Sequence, residues 1–516
     1  MIAESAYFFR HALLRDAAYQ LQLPGDRARL HGLAFEAIEV LAGGRPPEPA
    51  PLDSADAPPF RPHEADVFAL ELAGHAQLAL AGAGGQTERS RALRSAHLLY
   101  LRRAAEDAET RYRWNTAVEL WQRIAGSVSG ARKGESLRRA GEVARQAGQP
   151  QIAEPLCHGA LSLQREAGHR RLEGMALGSI AKLFMSTGRV ELAEHHFGQA
   201  LAILRDAGDR RSEGVTLGNL AGLYRETGRV VQAGRTHEQA IAISREVLDR
   251  RSEGVALSNL ALLYQDLGRV EEAERTYDQA LATHGEVGNR LSEGIALVHL
   301  AILYKETGRV EQAERTFQRA RKINREVGSA RFEGMALGNL ANLYRETRRE
   351  ELAERTHEQA LAIFREVADR RSEGASLGNL AILYKETGRV ERAELTFSQA
   401  LAIHDEVGNR RSEGIALGNL ACLYLETGRI DRAEHTFMQA LALLRTAGDR
   451  RSESLFLCEF ALLILARGRV DEARTTWRQG AEDLRRLASS EFDAKTRSMR
   501  EACIKAGVCA FDEAPS

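Results

Sequence analysis

Residues 369–408 read DRRSEGASLGNLAILYKETGRVERAELTFSQALAIHDEVG, and the rest of the chain is organised around this stretch. It recurs every forty residues without insertion, in copies beginning at His169, Asp209, Asp249, Asn289, Ser329, Asp369, Asn409 and Asp449. A fixed period of this size marks a stacked array, in which each repeat buries its apolar face on its neighbours. The apolar spacing predicts two helices per repeat. Leu217, Leu220, Ala221 and Tyr224 recur at three and four and predict a helix over about 210–227. Ala233, His237, Ala240, Ile241 and Ile243 predict a second over about 230–247. The register of His237 holds Phe197, Tyr277, Phe317, Phe397 and Phe437, so His237 and His357 read as core fillers in place of a ring, not as metal ligands.

The punctuation agrees. Asp209, Asp249, Asn289, Ser329, Asp369, Asn409 and Asp449 are N-cap types, whose side chains accept orphan helix N–H groups. Gly168, Gly208, Gly288, Gly328, Gly408 and Gly448 precede that position and suit a left-handed helix end. Glycine also stands between the helices, except at Arg348, where a strained or remodelled turn is expected. A further glycine lies inside the first helix at Gly174, Gly214, Gly254, Gly294, Gly334, Gly374 and Gly414. It costs about 1 kcal/mol against Ala, so its repetition predicts a close crossing, assigned here to the preceding helix.

The Asn-Leu-Ala…Tyr…Gly…Ala…Ala-Leu skeleton of LGNLAILYKETGRVERAELTFSQAL resembles the tetratricopeptide repeat. The forty-residue unit is similar to the longer form found in kinesin light chains and in spindle-orientation scaffolds of the Pins type. The resemblance spans about residues 131–488. It implies an all-α fold, a right-handed superhelical solenoid of antiparallel helix pairs whose first helices line a concave groove. In that family the groove holds a peptide or a partner helix.

The groove candidates are one row per repeat. Asn219, Asn259, Asn339, Asn379 and Asn419 share a register from which Ser179, His299 and Glu459 depart. By resemblance this row faces the groove and grips a peptide backbone. An amide donates and accepts, so such a row is tolerant of sequence. The alternative is shared descent of recently copied repeats. Further along the helix stand Arg225, Gln265, Lys305, Arg345 and Lys385, each followed by an acid. The cations could favour an acidic partner, or the two sets form a solvated face. A carboxylate clamp is not supported, because its lysine position holds Gly218, Ser258, Val298, Gly338 and Gly378. Glu173, Glu213, Glu253, Glu293, Glu333, Glu373, Glu413 and Glu453 never vary across the copies, nor do the arginines in the register of Arg229. Catalysis needs one special site, so residues identical in every copy read as structural, for example as ion pairs between repeats. His195 and His196 are sequence neighbours on a helix and make a poor metal site.

Outside the array, residues 1–42 hold FRHALLRD, Phe9 to Asp16, followed by Arg29-Leu30-His31. This resembles the end of the winged-helix region that follows the nucleotide-binding domain in bacterial STAND-type signalling ATPases. The resemblance implies that His11 contacts a nucleotide phosphate if such an ATPase precedes it. No GxxxxGK[ST] motif occurs, and the position of the motif beside Met1 reads as truncation or a misplaced start. Residues 43–62 hold seven of the eleven prolines and read as an extended, mobile linker. Residues 63–130 read as degenerate repeat helices, 131–488 as the array, and 489–516 as a capping helix and tail.

Lys plus Arg is 71 against 72 Asp plus Glu, which gives no push toward nucleic acid or an anionic membrane. Only seven of the basic residues are Lys, as in a GC-rich bacterial genome. The five cysteines have no CxxC spacing, and no apolar run approaches a membrane span. These features predict a cytoplasmic interaction scaffold or sensor with a protein or peptide partner. Neither cofactor, metal nor catalysis of its own is expected. The alternative is the sensing arm of a nucleotide-dependent signalling ATPase, kinase, cyclase or transcription regulator, with the ATPase domain in cis or in trans.

Overall fold

A computed structural model describes residues 23–54, 60–81, 87–111, 113–486 and 492–511, and every regular element among them is a helix. Contacts divide the chain into two compact bodies, Met1–Val287 and Gly288–Ser516. The first contains α1 (Pro24–Leu41), a short 3-10 turn (Glu64–Phe68), α2 (Ala69–Leu80), α3 (Glu88–Thr110) and α4 (Trp114–Ser127). Strict pairs follow: α5 (Gly130–Gln146) with α6 (Pro150–Glu166), α7 (Arg170–Ser186) with α8 (Val190–Asp206), α9 (Arg210–Glu226) with α10 (Val230–Glu246), and α11 (Arg250–Asp266) with α12 (Val270–Glu286). The second body continues with α13 (Arg290–Glu306), α14 (Val310–Glu326), α15 (Ala330–Glu346), α16 (Glu350–Glu366), α17 (Arg370–Glu386) and α18 (Val390–Glu406). It ends with α19 (Arg410–Glu426), α20 (Ile430–Thr446), α21 (Arg450–Ala466), α22 (Val470–Arg486) and α23 (Phe492–Ala506).

The helix starts are fixed by local chemistry. The side chains of Asp209, Asp249, Asp369, Asn409 and Asp449 each accept the backbone N–H of the serine three residues on, at 3.0–3.3 Å. Asn289 instead donates to the Ser292 hydroxyl at 2.9 Å. At the turn between paired helices Arg348 keeps the left-handed conformation of its glycine counterparts, with φ +58°. The Arg348 and Arg349 N–H groups donate to Arg345 O and Tyr344 O at 3.0 and 2.8 Å, as Gly308 and Arg309 do to Lys305 O and Tyr304 O. The turn is therefore strained and not remodelled, at a cost of about 1–2 kcal/mol for a side chain in this region.

The mid-helix glycines require one correction. The close crossing is with the following helix of the same pair, not the preceding one. A Cβ on Gly174 would lie 2.7 Å from Leu204, one on Gly254 2.7 Å from His284, one on Gly334 2.7 Å from Phe364 and one on Gly414 2.8 Å from Leu444. Each partner lies thirty residues on, at the far end of the antiparallel mate, which returns to the start of the first helix. Within the pairs Phe197, Phe317, Phe397 and Phe437 are fully buried, and His237 and His357 fill the same register with no exposed surface. Neither ring nitrogen of either histidine has a hydrogen-bond partner.

Residues 43–54 carry no helix, as their prolines demand, and they make contacts with the helices of the first body. Ala42 and Leu52 join the apolar core around Tyr100 and Trp121. Arg102 Nη1 donates to Ala50 O at 2.5 Å, and Arg103 Nη2 to Arg61 O at 2.9 Å.

Two predictions follow from this packing. Burial, with Arg225 and Arg345 adding repulsion, lowers the pKa of His237 and of His357 to about 4. The unfolded value is higher, so the stability is present above pH 6.5 and is lost as pH falls toward 4, by about 3 kcal/mol per histidine at pH 4. His237→Phe with His357→Phe should raise the melting temperature and flatten its fall between pH 7 and 4.5 in circular-dichroism melts. Gly414→Ala should lower the melting temperature. Gly378→Ala, whose Cβ would meet nothing within 4 Å, should raise it by the helix-propensity gain of about 1 kcal/mol.

Candidate functional site

In each body the first helices of successive repeats touch one another, whereas no pair of second helices does so comparably among the described residues. The first helices therefore crowd on the inner side of each body. Burial of Leu217, Leu220, Ala221 and Leu223 turns one face of α9 into the pair, and the opposite face is left for contact with solvent or ligand.

The Asn row lies at the border of these faces. Asn219, Asn339, Asn379 and Asn419 are half-buried, as is His299, and Asn259 is exposed. Asn339 Nδ2 donates to Met335 O at 2.9 Å, and Asn419 Nδ2 to Ile415 O at 3.0 Å. This back-bonding to the preceding turn engages the amide nitrogen and takes no part of the oxygen's acceptor capacity. The departures at the ends of the row are engaged differently. Ser179 Oγ accepts from Arg138 at 3.2 Å, and Glu459 pairs with Lys495 of α23. Cys422, one turn beyond Asn419, has its thiol pushed up to about 12 by burial, so it stays a protonated, unreactive thiol.

The cations of the neighbouring register are spent on a ladder. Arg225 pairs with Asp266 at 2.7 Å in the first body. In the second, Lys305 pairs with Glu346 at 3.1 Å, Arg345 with Glu386 at 2.6 Å and Lys385 with Glu426 at 3.0 Å. Each cation reaches the acid of the next repeat, and Arg345 also lies 3.7 Å from Glu346 beside it. An open depression lined by Arg345, Arg348 and Lys385 and by Glu346, Glu386 and Glu426 lies over these pairs. The matched charges cancel, so this strip offers no net field to an acidic ligand.

The invariant acids and arginines have structural partners. Glu213, with 2% of its side chain exposed, receives Arg205 from the preceding pair at 2.7 Å and Arg210 from its own helix at 2.5 Å. Glu253 and Glu373 repeat the arrangement. Arg229 stacks 4.5 Å over the Tyr224 ring and pairs with Glu194 of the preceding repeat at 2.8 Å, while the Tyr224 hydroxyl donates to the same carboxylate. Tyr344, Tyr384 and Tyr424 do likewise with Glu314, Glu354 and Glu394. The tyrosine's part was missed from sequence. Its recurrence at Tyr224, Tyr264, Tyr304, Tyr344, Tyr384 and Tyr424, five residues before the arginine, was the available signal.

His196 packs against Phe184 at 5.1 Å, and no group of three or more His, Cys, Asp or Glu among the described residues could hold a metal ion. No described helix is long and apolar enough to cross a membrane. His11 and the FRHALLRD motif lie outside the described residues.

Comparison with known proteins places this geometry. The tetratricopeptide repeat profile matches residues 132–206, 212–284, 252–326, 332–406 and 372–446, and a second tetratricopeptide profile matches 461–479. Among solved structures the chain is similar to BtubC (BKLC) from P. vanneervenii, at 25% identity over 43% of this chain and 91% of that one, with a TM-score of 0.38. It is similar to the nearly identical kinesin-light-chain TPR-like repeats from Podosopora anserina, at 24% identity over 39% and 98%, with a TM-score of 0.33. A STAND protein with a tetratricopeptide repeat sensor from Pyrococcus horikoshii aligns at 16% identity over 86% and 67%, with a TM-score of 0.47. No curated protein matches the chain. The family profile covers more than half of the sequence, in the register of the helix pairs described above, and the chain belongs to the tetratricopeptide repeat family.

Proposed function

We propose that the protein is an interaction scaffold or sensor that holds an extended peptide, or one edge of a partner helix, across the asparagines of successive first helices within one body. The observation that carries this reading is the row itself. Asn219, Asn259, Asn339, Asn379 and Asn419 hold the same register in five repeats at half-buried or exposed positions, and two of them bond the preceding turn through the amide nitrogen alone. An extended peptide presents alternating N–H and C=O groups that an amide row can meet in either sense. Because the adjacent charges are already paired, recognition rests on the amides and on the apolar surface between them.

The FRHALLRD motif favours a second reading, in which the array is the sensing arm of a nucleotide-dependent switch and His11 reaches the nucleotide.

Replacing Asn339, Asn379 and Asn419 together by Tyr should weaken peptides selected from a displayed library by about a hundredfold, at about 1 kcal/mol per amide contact. Helicity and melting temperature should be unchanged; affinity that survives the triple change would sink the groove reading. The second reading is checked by intact-mass analysis of the endogenous polypeptide. It expects a species well beyond 516 residues with a P-loop upstream of the array, and a species of 516 residues would dismiss a cis ATPase.

A further inference from the structure

A segment of the chain itself lies across three consecutive first helices of the first body. Residues 48–54, EPAPLDS, pass without helix along α3, α5 and α7. On α3 the Ser95 hydroxyl donates to the Glu48 carboxylate at 2.8 Å, and Arg102 donates to Ala50 O at 2.5 Å. On α5 Arg132 pairs with the Asp53 carboxylate at 3.2 Å. On α7 the Arg171 guanidinium donates to Asp53 O at 3.0 Å and to Ser54 O at 2.7 Å. Leu52 packs on the apolar core below, and the Ser54 N–H closes a turn on Pro51 O at 2.9 Å.

The chemistry of the two sides is complementary. Pro49 and Pro51 carry no N–H, so this backbone offers acceptors with few donors. Arginine offers donors and no acceptor, in a planar fork that spans adjacent carbonyls. The register adds an independent observation. Arg211, Arg331 and Arg411 occupy the position of Arg171 in later repeats, and each pairs with the N-cap Asp of the next repeat: Asp249 at 2.7 Å, Asp369 at 3.0 Å and Asp449 at 2.7 Å. At the first copy the arginine leaves that pattern and takes the carbonyls of the segment.

We propose that the face formed by α3, α5 and α7 is a recognition site for an extended, proline-spaced segment carrying an acidic residue, separate from the Asn row, and that residues 48–54 are its intramolecular occupant. The contacts are to three backbone carbonyls and to the Glu48 and Asp53 carboxylates. An equivalent segment supplied in trans is therefore accepted once the chain's own is removed. The ion pair and the charge-assisted bonds weaken with salt, so the affinity falls as ionic strength rises.

The test replaces residues 48–54 in the full chain by a Gly/Ser run of equal length. A fluorescent synthetic peptide of residues 46–54 is then titrated in by anisotropy. The peptide should bind the replaced chain in the micromolar range and the intact chain at least tenfold more weakly. Arg132→Glu with Arg171→Glu in the replaced chain should lose at least tenfold in affinity with an unchanged circular-dichroism melt. The triple Asn change at 339, 379 and 419 should leave this binding intact, which separates the two sites. No binding to the replaced chain, equal binding to both chains, or binding retained in the double arginine variant would overturn the proposal.

Discussion

The close approach of each first helix to the far end of its antiparallel mate is the constraint on which the array depends. At Gly174, Gly254, Gly334, Gly374 and Gly414 the side chain thirty residues on occupies the space a Cβ would need. The pair is then narrow at one end, and the shared aromatic register at Phe197, Phe317, Phe397 and Phe437 fills its middle. A helix in this position accepts the intrinsic cost of glycine because the packing it admits is worth more: a buried Leu or Phe contributes roughly 1.5–3 kcal/mol. The same geometry brings the first helices of successive repeats together on one side of each body.

Charge supplies register more than net stability. Glu173, Glu213, Glu253 and Glu373 are each clasped by one arginine of their own helix and one from the preceding pair. Buried ion pairs of this kind add little against an apolar alternative, yet leaving one partner alone in the interior is costly. A slip of the stack by one helical turn would do that in each of these repeats. The Arg229–Tyr224–Glu194 stack acts in the same way at the outer edge of the pair. The chain therefore carries many charges and presents little net field, and the surfaces proposed for recognition are dipolar amides and donor-only guanidinium groups, not a charged patch.

The two proposed faces differ in what they would ask of a ligand. The Asn row recurs in five repeats and suits a backbone of alternating donors and acceptors. The α3–α5–α7 face is made once, from arginines that depart from the repeat pattern, and suits a backbone rich in acceptors. Repetition gives reach along a ligand, whereas departure from repetition gives a local address.

Much of the fold was legible in the sequence. The forty-residue period, the helix ends and the core role of His237 and His357 are recorded locally, because caps, helical spacing and burial depend on residues within a turn or on one apolar stripe. The placement of the candidate Asn row on the first helices was legible in the same way, since it follows from spacing alone. What only the tertiary structure decided were the partners. The mid-helix glycines announce a close contact but not which helix makes it. The acid beside Arg225 in sequence is not the one it pairs with, because Asp266 of the next repeat stands nearer across the stack. The proline-rich stretch was readable as non-helical, but its docking was not. Three arginines that hold it, Arg102, Arg132 and Arg171, lie 52, 79 and 117 residues from the atoms they bind. Contacts at such separations are set by how the pairs stack, which no local pattern in the chain encodes.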